Sequence, residues 1–456
     1  MCTRAILTRQ TALRSNCVDD LGTDMGEEEL GSLGLQKMVF VPPKVTLSKP
    51  QMKAGSLSGK RCLILIVISL VVLVILLRAL LNLRPTFISF HVASDIDGEL
   101  VVVPKDFAEA RRAACLDGSP PGFYIRKGFH VGKRDWILYL EPGGWCATLK
   151  DCYERSKTHL GSSEVAPSTK EFNGILSSDP KSNPTFHMWN MVSLLYCDGG
   201  SYAGSMANPV LYNGNKLYFQ GFHILQTLMD FLIETTDLGH ARRVILVGSS
   251  AGGLATFLHA DFMKSKLPQS VNFHAMADGG IFLNYPGFQG KNLAEETFKG
   301  VFDLHNIKET PSVKQCINKQ VKNEEYKCFF PLNNNKFLRS SIFATNSLYD
   351  TWTTRNFLQI SCSYPKCDNK EKDYLDTHRM ALLNATEEFR KNKNNGVYFF
   401  SCLRHTLLHH GVLNMQMEID GVSLLNAIDS WYLKKTAYTQ SMKIDNKFGT
   451  NPSCSK

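Results

Sequence analysis

No two cysteines of this chain stand in C-x-x-C spacing, and no zinc-finger pattern occurs, which speaks against a zinc site of that kind. No block of basic residues is interleaved with aromatics, so the chain lacks the footprint of a nucleic-acid binder. Long apolar runs are scarce as well. One uncharged run, Leu63 to Leu77, contains neither Gly nor Pro, and one such segment builds no channel. No small-residue cleavage site follows it, and about 60 residues precede it, which argues against a removable signal peptide.

What is present is globular in kind. Of 456 residues, 43% are hydrophobic and 20% charged. The length accommodates one large α/β domain with an anchor. The net charge of +9 suits anionic surfaces such as headgroups or acidic polysaccharide, as well as a plain solvated basic surface.

Fourteen aliphatic residues and a single Ser have no polar face to offer water, so the run reads as an uncleaved transmembrane signal anchor over 62–83. Arg78 falls inside that span and must reach the headgroups with its long side chain. Residues 1–61 are polar, with Glu27-Glu28-Glu29 and Pro42-Pro43, and read as a flexible cytosolic tail. Their excess of Lys and Arg favours an N-terminus in the cytosol. The expected layout continues with a stem over 84–96, a catalytic domain over 97–440 and a C-terminal tail over 441–456. The chain is thus expected to be a single-pass type II membrane protein with a lumenal or extracellular catalytic domain.

Ten of the 13 cysteines follow the anchor, an even set that suits disulfides in an oxidising compartment. The pairs 146/152, 316/328 and 362/367 are close enough to form short loops. Asn384-Ala385-Thr386 is a glycosylation sequon, relevant on the lumenal side.

Short apolar runs predict buried parallel strands at Trp136–Leu140, Val192–Tyr196, Val244–Val247, Ser341–Ala344 and Val397–Phe400. Residues 218–235 carry apolar side chains at helical spacing. Strand and helix alternating in this way imply a parallel sheet covered on both faces, with chemistry at the carboxyl ends of its strands. After Val244–Val247 comes Gly248-Ser249-Ser250-Ala251-Gly252-Gly253 and then a helical pattern. That is G-x-S-x-G between strand and helix, a nucleophile elbow, and it predicts an α/β-hydrolase-like, mostly parallel sheet with helices on both faces, preceded by one transmembrane helix. The turn is tight enough to need small residues two positions either side of Ser250, whose hydroxyl then stands at a helix N-terminus.

A serine hydroxyl needs a base, and the base an orienting carboxylate. Asp350 follows the Ser341–Ala344 run, and His405 follows Val397–Phe400, in the expected order Ser, acid, His. His409 and His410 compete with His405 for the role of base. Ala251, directly after the nucleophile, and the glycine-rich turn at Gly144 are candidate sources of oxyanion-binding amides.

At this point the motifs resemble a known family, the pectin acetylesterases, whose animal branch contains Notum-type carboxylesterases. The matching stretches are CLDGSPPGFYI (115–125), LEPGGWC (140–146), LGSS (160–163), WNMVSLLYCDGGSYAG (189–204), GSSAGG (248–253), ADGGIFL (277–283), CFFP (328–331), YDTW (349–352) and SCLRH (401–405). The resemblance implies Ser250 as nucleophile, Asp350 as triad acid and His405 as base, with oxyanion donors at Gly144, Trp145 and Ala251. It implies no metal and no organic cofactor. Pro142 replaces a usual glycine and has no N–H to donate. Ser249 matches the animal branch, and Asn284 stands where Asp is common. CLDGSPPG, CDGGSYAG and CFFP look closer to plant-type members, which implies acetyl groups on a polysaccharide as substrate. The alternatives are a Notum-like deacylase acting on an acylated secreted protein and an inactive lumenal binding module. No nucleic-acid partner is expected, and membrane association is expected through one transmembrane helix alone.

Overall fold

The computed structural model describes residues 97–411, 416–434 and 441–455. The tail, anchor and stem expected over 1–61, 62–83 and 84–96 lie outside them. Among the described residues no helix is long and apolar enough to cross a membrane.

Among the described residues fourteen strands occur in chain order. The first five are β1 (Asp97–Val102), β2 (Gly122–Arg126), β3 (Asp135–Leu140), β4 (Thr169–Glu171) and β5 (Asn190–Leu194). A small hairpin, β6 (Val210–Tyr212) and β7 (Asn215–Leu217), precedes β8 (Arg243–Ser249), β9 (Asn272–Asp278), β10 (Ile342–Ser347) and β11 (Gly396–Phe400). A second hairpin, β12 (Glu418–Ile419) and β13 (Val422–Ser423), precedes β14 (Met442–Ile444). Ten of them form one sheet in the order β14-β11-β10-β9-β8-β3-β5-β2-β1-β4. From β14 to β5 every pairing is parallel, and β2, β1 and β4 close one edge in antiparallel fashion. This is an α/β-hydrolase-like sheet.

Every residue of β3, β5, β10 and β11 is buried, as parallel strands covered on both faces should be. The strand expected at Val192–Tyr196 begins two residues earlier. Asn190 starts it because its side chain caps neighbouring loops, donating to Lys133 O and Asp135 O at 2.9 and 3.0 Å. The segment that becomes β9, NFHAMAD, shows no apolar run because His274 and Asp278 interrupt it. The expected C-terminal tail contributes β14, paired in parallel with β11, so the sheet extends past residue 440.

Two helices matter for the site. Gly221–Thr235 packs one side with Ile224, Leu225, Leu228 and Leu232 fully buried. Ala251–Ser265 starts at the elbow and is buried on nearly all sides, because its small residues let it press against β8 and β9. Five disulfides use all ten cysteines beyond the apolar run: 115–197, 146–152, 316–328, 362–367 and 402–454. Asn384 is exposed in the last turn of the helix Asn369–Ala385.

Candidate active site

The loops leaving β8, β10 and β11 bring Ser250, Asp350 and His405 together. At the end of β8 the chain turns through Ser250 at φ +56°, a left-handed conformation that costs a non-glycine residue about 1–3 kcal/mol. The surroundings enforce it. Ser250 N–H donates to Asp278 O at 2.8 Å. A Cβ on Gly248 would lie 2.0 Å from Gly252 O, and one on Gly252 would lie 2.0 Å from Leu140 O. The elbow therefore closes only with glycine at both positions.

Ser250 Oγ lies 2.7 Å from His405 Nε2, and His405 Nδ1 lies 2.7 Å from Asp350 Oδ2. Asp350 is itself fixed as the N-cap of the helix Thr351–Asn356, its Oδ1 accepting from Thr353 N–H at 2.7 Å. Burial disfavours a charge on the His405 ring. The neighbouring carboxylates, Asp350 by charge and hydrogen bond and Asp278 by charge, outweigh that and hold its pKa above the ordinary value. His409 and His410 do not compete in space. His409 Nδ1 meets Ser249 Oγ at 3.2 Å, and His410 Nε2 meets Thr406 Oγ1 at 3.0 Å.

The turn after β3 forms the facing wall. Gly144 adopts φ +63°, and a Cβ there would meet nothing within 4 Å. The amides of Gly144, Trp145 and Ala251 have no acceptor among the described residues. Their direction follows from where the carbonyls go. Arg155 Nη2 donates to Gly143 O, and also to Gly144 O at 3.2 Å, while Tyr196 O–H donates to Gly144 O at 2.7 Å. In a trans peptide the C=O and N–H point in opposite directions, so the amides of Gly144 and Trp145 face away from Arg155 and Tyr196. A second chain of bonds locks this turn to the elbow: Trp145 Nε1–H donates to Ser201 Oγ at 2.7 Å, and Ser201 Oγ–H donates to Ala251 O at 2.8 Å. The Cys146–Cys152 disulfide closes the far end.

Sequence reasoning assigned no role to Arg155, Tyr196, Ser201 or Asp278. Three of them sit in stretches singled out above, 189–204 and 277–283, but their contacts join distant segments and leave no local pattern. Asp278 is fully buried at the end of β9 and accepts from Ser249 Oγ–H at 2.9 Å and from the amides of Leu407 and Leu408, each at 2.9 Å. It thereby ties the elbow to the loop that carries His405. Burial pushes its carboxyl up to about 6.

The space beside Ser250 is lined by aromatic rings in mutual contact. Trp145 meets Phe298, Phe282 and Trp352 edge-on at 4.8, 5.0 and 5.6 Å. Trp352 stacks near His405 at 5.9 Å, and Phe357 packs on both tryptophans. Phe282, Phe298, Phe329, Phe330 and Phe357 are each 0–3% exposed.

No metal-ligand set unconnected with a disulfide occurs among the described residues. The groups Cys146, Cys152, His305 and Cys362, Cys367, Glu371 each contain a paired cysteine couple.

The Pectinacetylesterase family model matches residues 93–455. The chain belongs to the pectinacetylesterase family. It is 32% identical over 364 residues to pectin acetylesterase 5 of Arabidopsis thaliana, covering 76% of this chain and 83% of the relative. It is 31% identical over 321 residues to the palmitoleoyl-protein carboxylesterase NOTUM of Schmidtea mediterranea, covering 67% of this chain and 58% of that relative. Among solved structures, the Wnt deacylase Notum from Drosophila superposes with a TM-score of 0.66 at 25% identity, over 78% of this chain and 99% of that one. The pectinacetylesterase match runs to residue 455 and so takes in β14 and Cys454, in agreement with the sheet.

Proposed function

We propose that this pectinacetylesterase-family protein is a serine carboxylic-ester hydrolase that removes acetyl groups from a polysaccharide. The observation that carries the reading is the continuous hydrogen-bonded line from Ser250 through His405 to Asp350, facing three amides without acceptors. His405 takes the proton of Ser250 as its Oγ attacks the ester carbonyl. The oxyanion is received by the amides of Gly144, Trp145 and Ala251. The alcohol leaves with the proton from His405, giving an acyl-enzyme, and water activated by the same ring releases the acid. Asp350 holds the ring in the tautomer that offers Nε2 to the serine.

Acetyl is favoured over a fatty acyl group by the aromatic packing. A long chain needs an apolar channel beside the nucleophile. Here Phe282, 6.3 Å from the His405 ring, is buried with Phe298, Phe330 and Phe357, and the four rings pack on one another. The relatives named pectin acetylesterases point the same way, and those named palmitoleoyl-protein carboxylesterases define the competing reading. An inactive binding module is disfavoured because no member of the serine, histidine and carboxylate set is missing. The apolar run at 62–83 and the five disulfides fit a type II membrane protein whose catalytic domain lies in an oxidising lumen or outside the cell, with Asn384 open to glycosylation.

The test is hydrolysis of p-nitrophenyl esters from acetyl to octanoyl and beyond, by a soluble form starting near Ser89, against Ser250→Ala. Activity confined to short acyl groups and abolished in the variant is the expected result. A preference for long chains would transfer the assignment to lipid deacylation. Equal rates from both proteins would remove Ser250 from the mechanism.

A further inference from the structure

The opposite end of the sheet carries a basic groove that the chemistry at Ser250 does not use. Ser250, Asp350 and His405 follow the carboxyl ends of β8, β10 and β11. At the amino ends of β9, β10, β11 and β14 lies a recessed cavity of about 380 Å³. Its walls include His274 of β9, Ser341 just before β10, Asn394 just before β11 and Ser441 just before β14. A six-residue strand such as β10 separates the two ends by about 20 Å.

Four cations border this cavity: Lys264, Arg339, Lys393 and Lys434. None of the four has a carboxylate within ion-pair distance among the described residues. Asp261, which bonds to the segment carrying Arg339, accepts from the amides of Arg339 and Ser340, both at 2.9 Å. Beneath the lysines, His274 is 8% exposed and its Nδ1 has no hydrogen-bond partner among the described residues. The walls are firm. Trp431 packs edge-on against His274 at 5.1 Å and donates from Nε1 to Asn394 O at 2.9 Å. Four unpaired cations at one concavity focus a positive potential and favour an oxyanion. The cavity shares Lys264, Phe273 and Arg339 with a second one of about 600 Å³, which adds no further cation and is lined also by Asp261, Ser265, Gln269 and Gln315, so the two join as an elongated trough that is cationic at the shared end.

We propose that this trough binds an acidic sugar chain, a polyuronate whose carboxylates sit against Lys264, Lys434, Arg339 and Lys393. The proposal rests on the polysaccharide reading above and extends it to a second site about one strand length from the nucleophile. Its shape suits a chain better than an isolated ion. Its lining contains none of the exposed large hydrophobic side chains that insertion into a bilayer surface would use. A polymer held at this second point has a raised local concentration at the first.

The experiment uses the full-length Ser250→Ala protein in detergent, so that binding is measured without turnover. Affinity for a polygalacturonate oligomer is measured by titration calorimetry at low salt, alone and with Lys264→Ala/Lys434→Ala. Lys319→Ala/Lys322→Ala, which removes the same charge from exposed positions elsewhere, is the control. The expected result is binding weakened about tenfold or more by the first pair, as the loss of two charge-assisted contacts gives, and within about twofold of the parent for the control. Equal weakening by both pairs would overturn the proposal in favour of general surface charge. Binding to phosphatidylserine vesicles without binding to the oligomer would overturn it too. If the expected pattern holds while the wild-type protein hydrolyses no ester, the trough stands and the esterase reading falls.

Discussion

At the scale of single residues, the candidate site is built on groups outside the Ser250, His405 and Asp350 line. Tyr196 is fully buried and uses its hydroxyl twice, donating to Gly144 O and accepting from Ser201 N–H. Tyr196→Phe keeps the ring and removes both bonds, so the amides at Gly144 and Trp145 lose their fixed aim. We expect kcat to fall about 10–100-fold with KM little changed, as misplacement of a transition-state contact gives. Steady-state kinetics on p-nitrophenyl acetate decides this. His405 sets the pH dependence. Its pKa is raised, so it becomes the neutral base only at a pH above the ordinary histidine value, and the acid limb of kcat/KM should lie above 6.5. Asp350→Asn removes the largest raising influence, so the limb should move to lower pH while the maximum rate drops by about 10⁴. A limb left in place would show that Asp350 does not face the working base. The same raised value means that protonated His405 favours the folded state. That contribution is full below pH 6.5 and disappears as pH rises through the folded value.

At the scale of elements, the elbow and the oxyanion turn both need glycine, for different reasons. Gly252→Ala drives a methyl group into Leu140 O at 2.0 Å, and backbone cannot retreat there without parting β3 from the helix Ala251–Ser265. A loss of about 3–5 kcal/mol is expected, read as a lower midpoint in urea denaturation. Gly144→Ala meets no atom, and its cost is the positive φ alone, about 1–2 kcal/mol. That variant should stay folded yet lose activity. What could be read from the sequence divides along the same line. Strands β3, β8, β10 and β11 were legible because burial on both faces writes a continuous apolar run. Strand β9 was not, since His274 and Asp278 fall within it and each serves a contact with another element. The G-x-S-x-G motif and the carboxyl-end rule led to Ser250 and Asp350 but left His405 in competition with His409 and His410. The family motif SCLRH singled out His405, and the fold shows the physical reason: of three histidines within six residues, the loop brings His405 to Ser250 and turns His409 and His410 to Ser249 and Thr406. Arg155 and Ser201 were illegible because they act across 11 to 56 residues of separation.

At the scale of the whole molecule, the loop bearing the base is held by the last segment of the domain. Strand β14 pairs with β11, Asp445 Oδ2 accepts from Ser401 N–H and Oγ–H at 3.1 and 2.7 Å, and Cys454 is bonded to Cys402. These contacts are made three to eight residues before His405. Replacing Cys402 and Cys454 with serine frees a loop of 52 residues, for which chain entropy gives a loss of about 4 kcal/mol. We expect a lower melting temperature and a larger loss of esterase activity than the Cys362→Ser/Cys367→Ser pair, whose loop spans a separation of 5. Calorimetry and ester hydrolysis on the two double variants measure both effects. The order of synthesis gives this arrangement a further meaning. Ser250 and Asp350 leave the ribosome well before residue 454 does, and His405 about fifty residues ahead of the cysteine that fastens its loop. A nascent chain therefore has all three side chains in hand before the bond that ties the His405 loop to the end of the domain can form, and the site is the last part of the fold to be fastened.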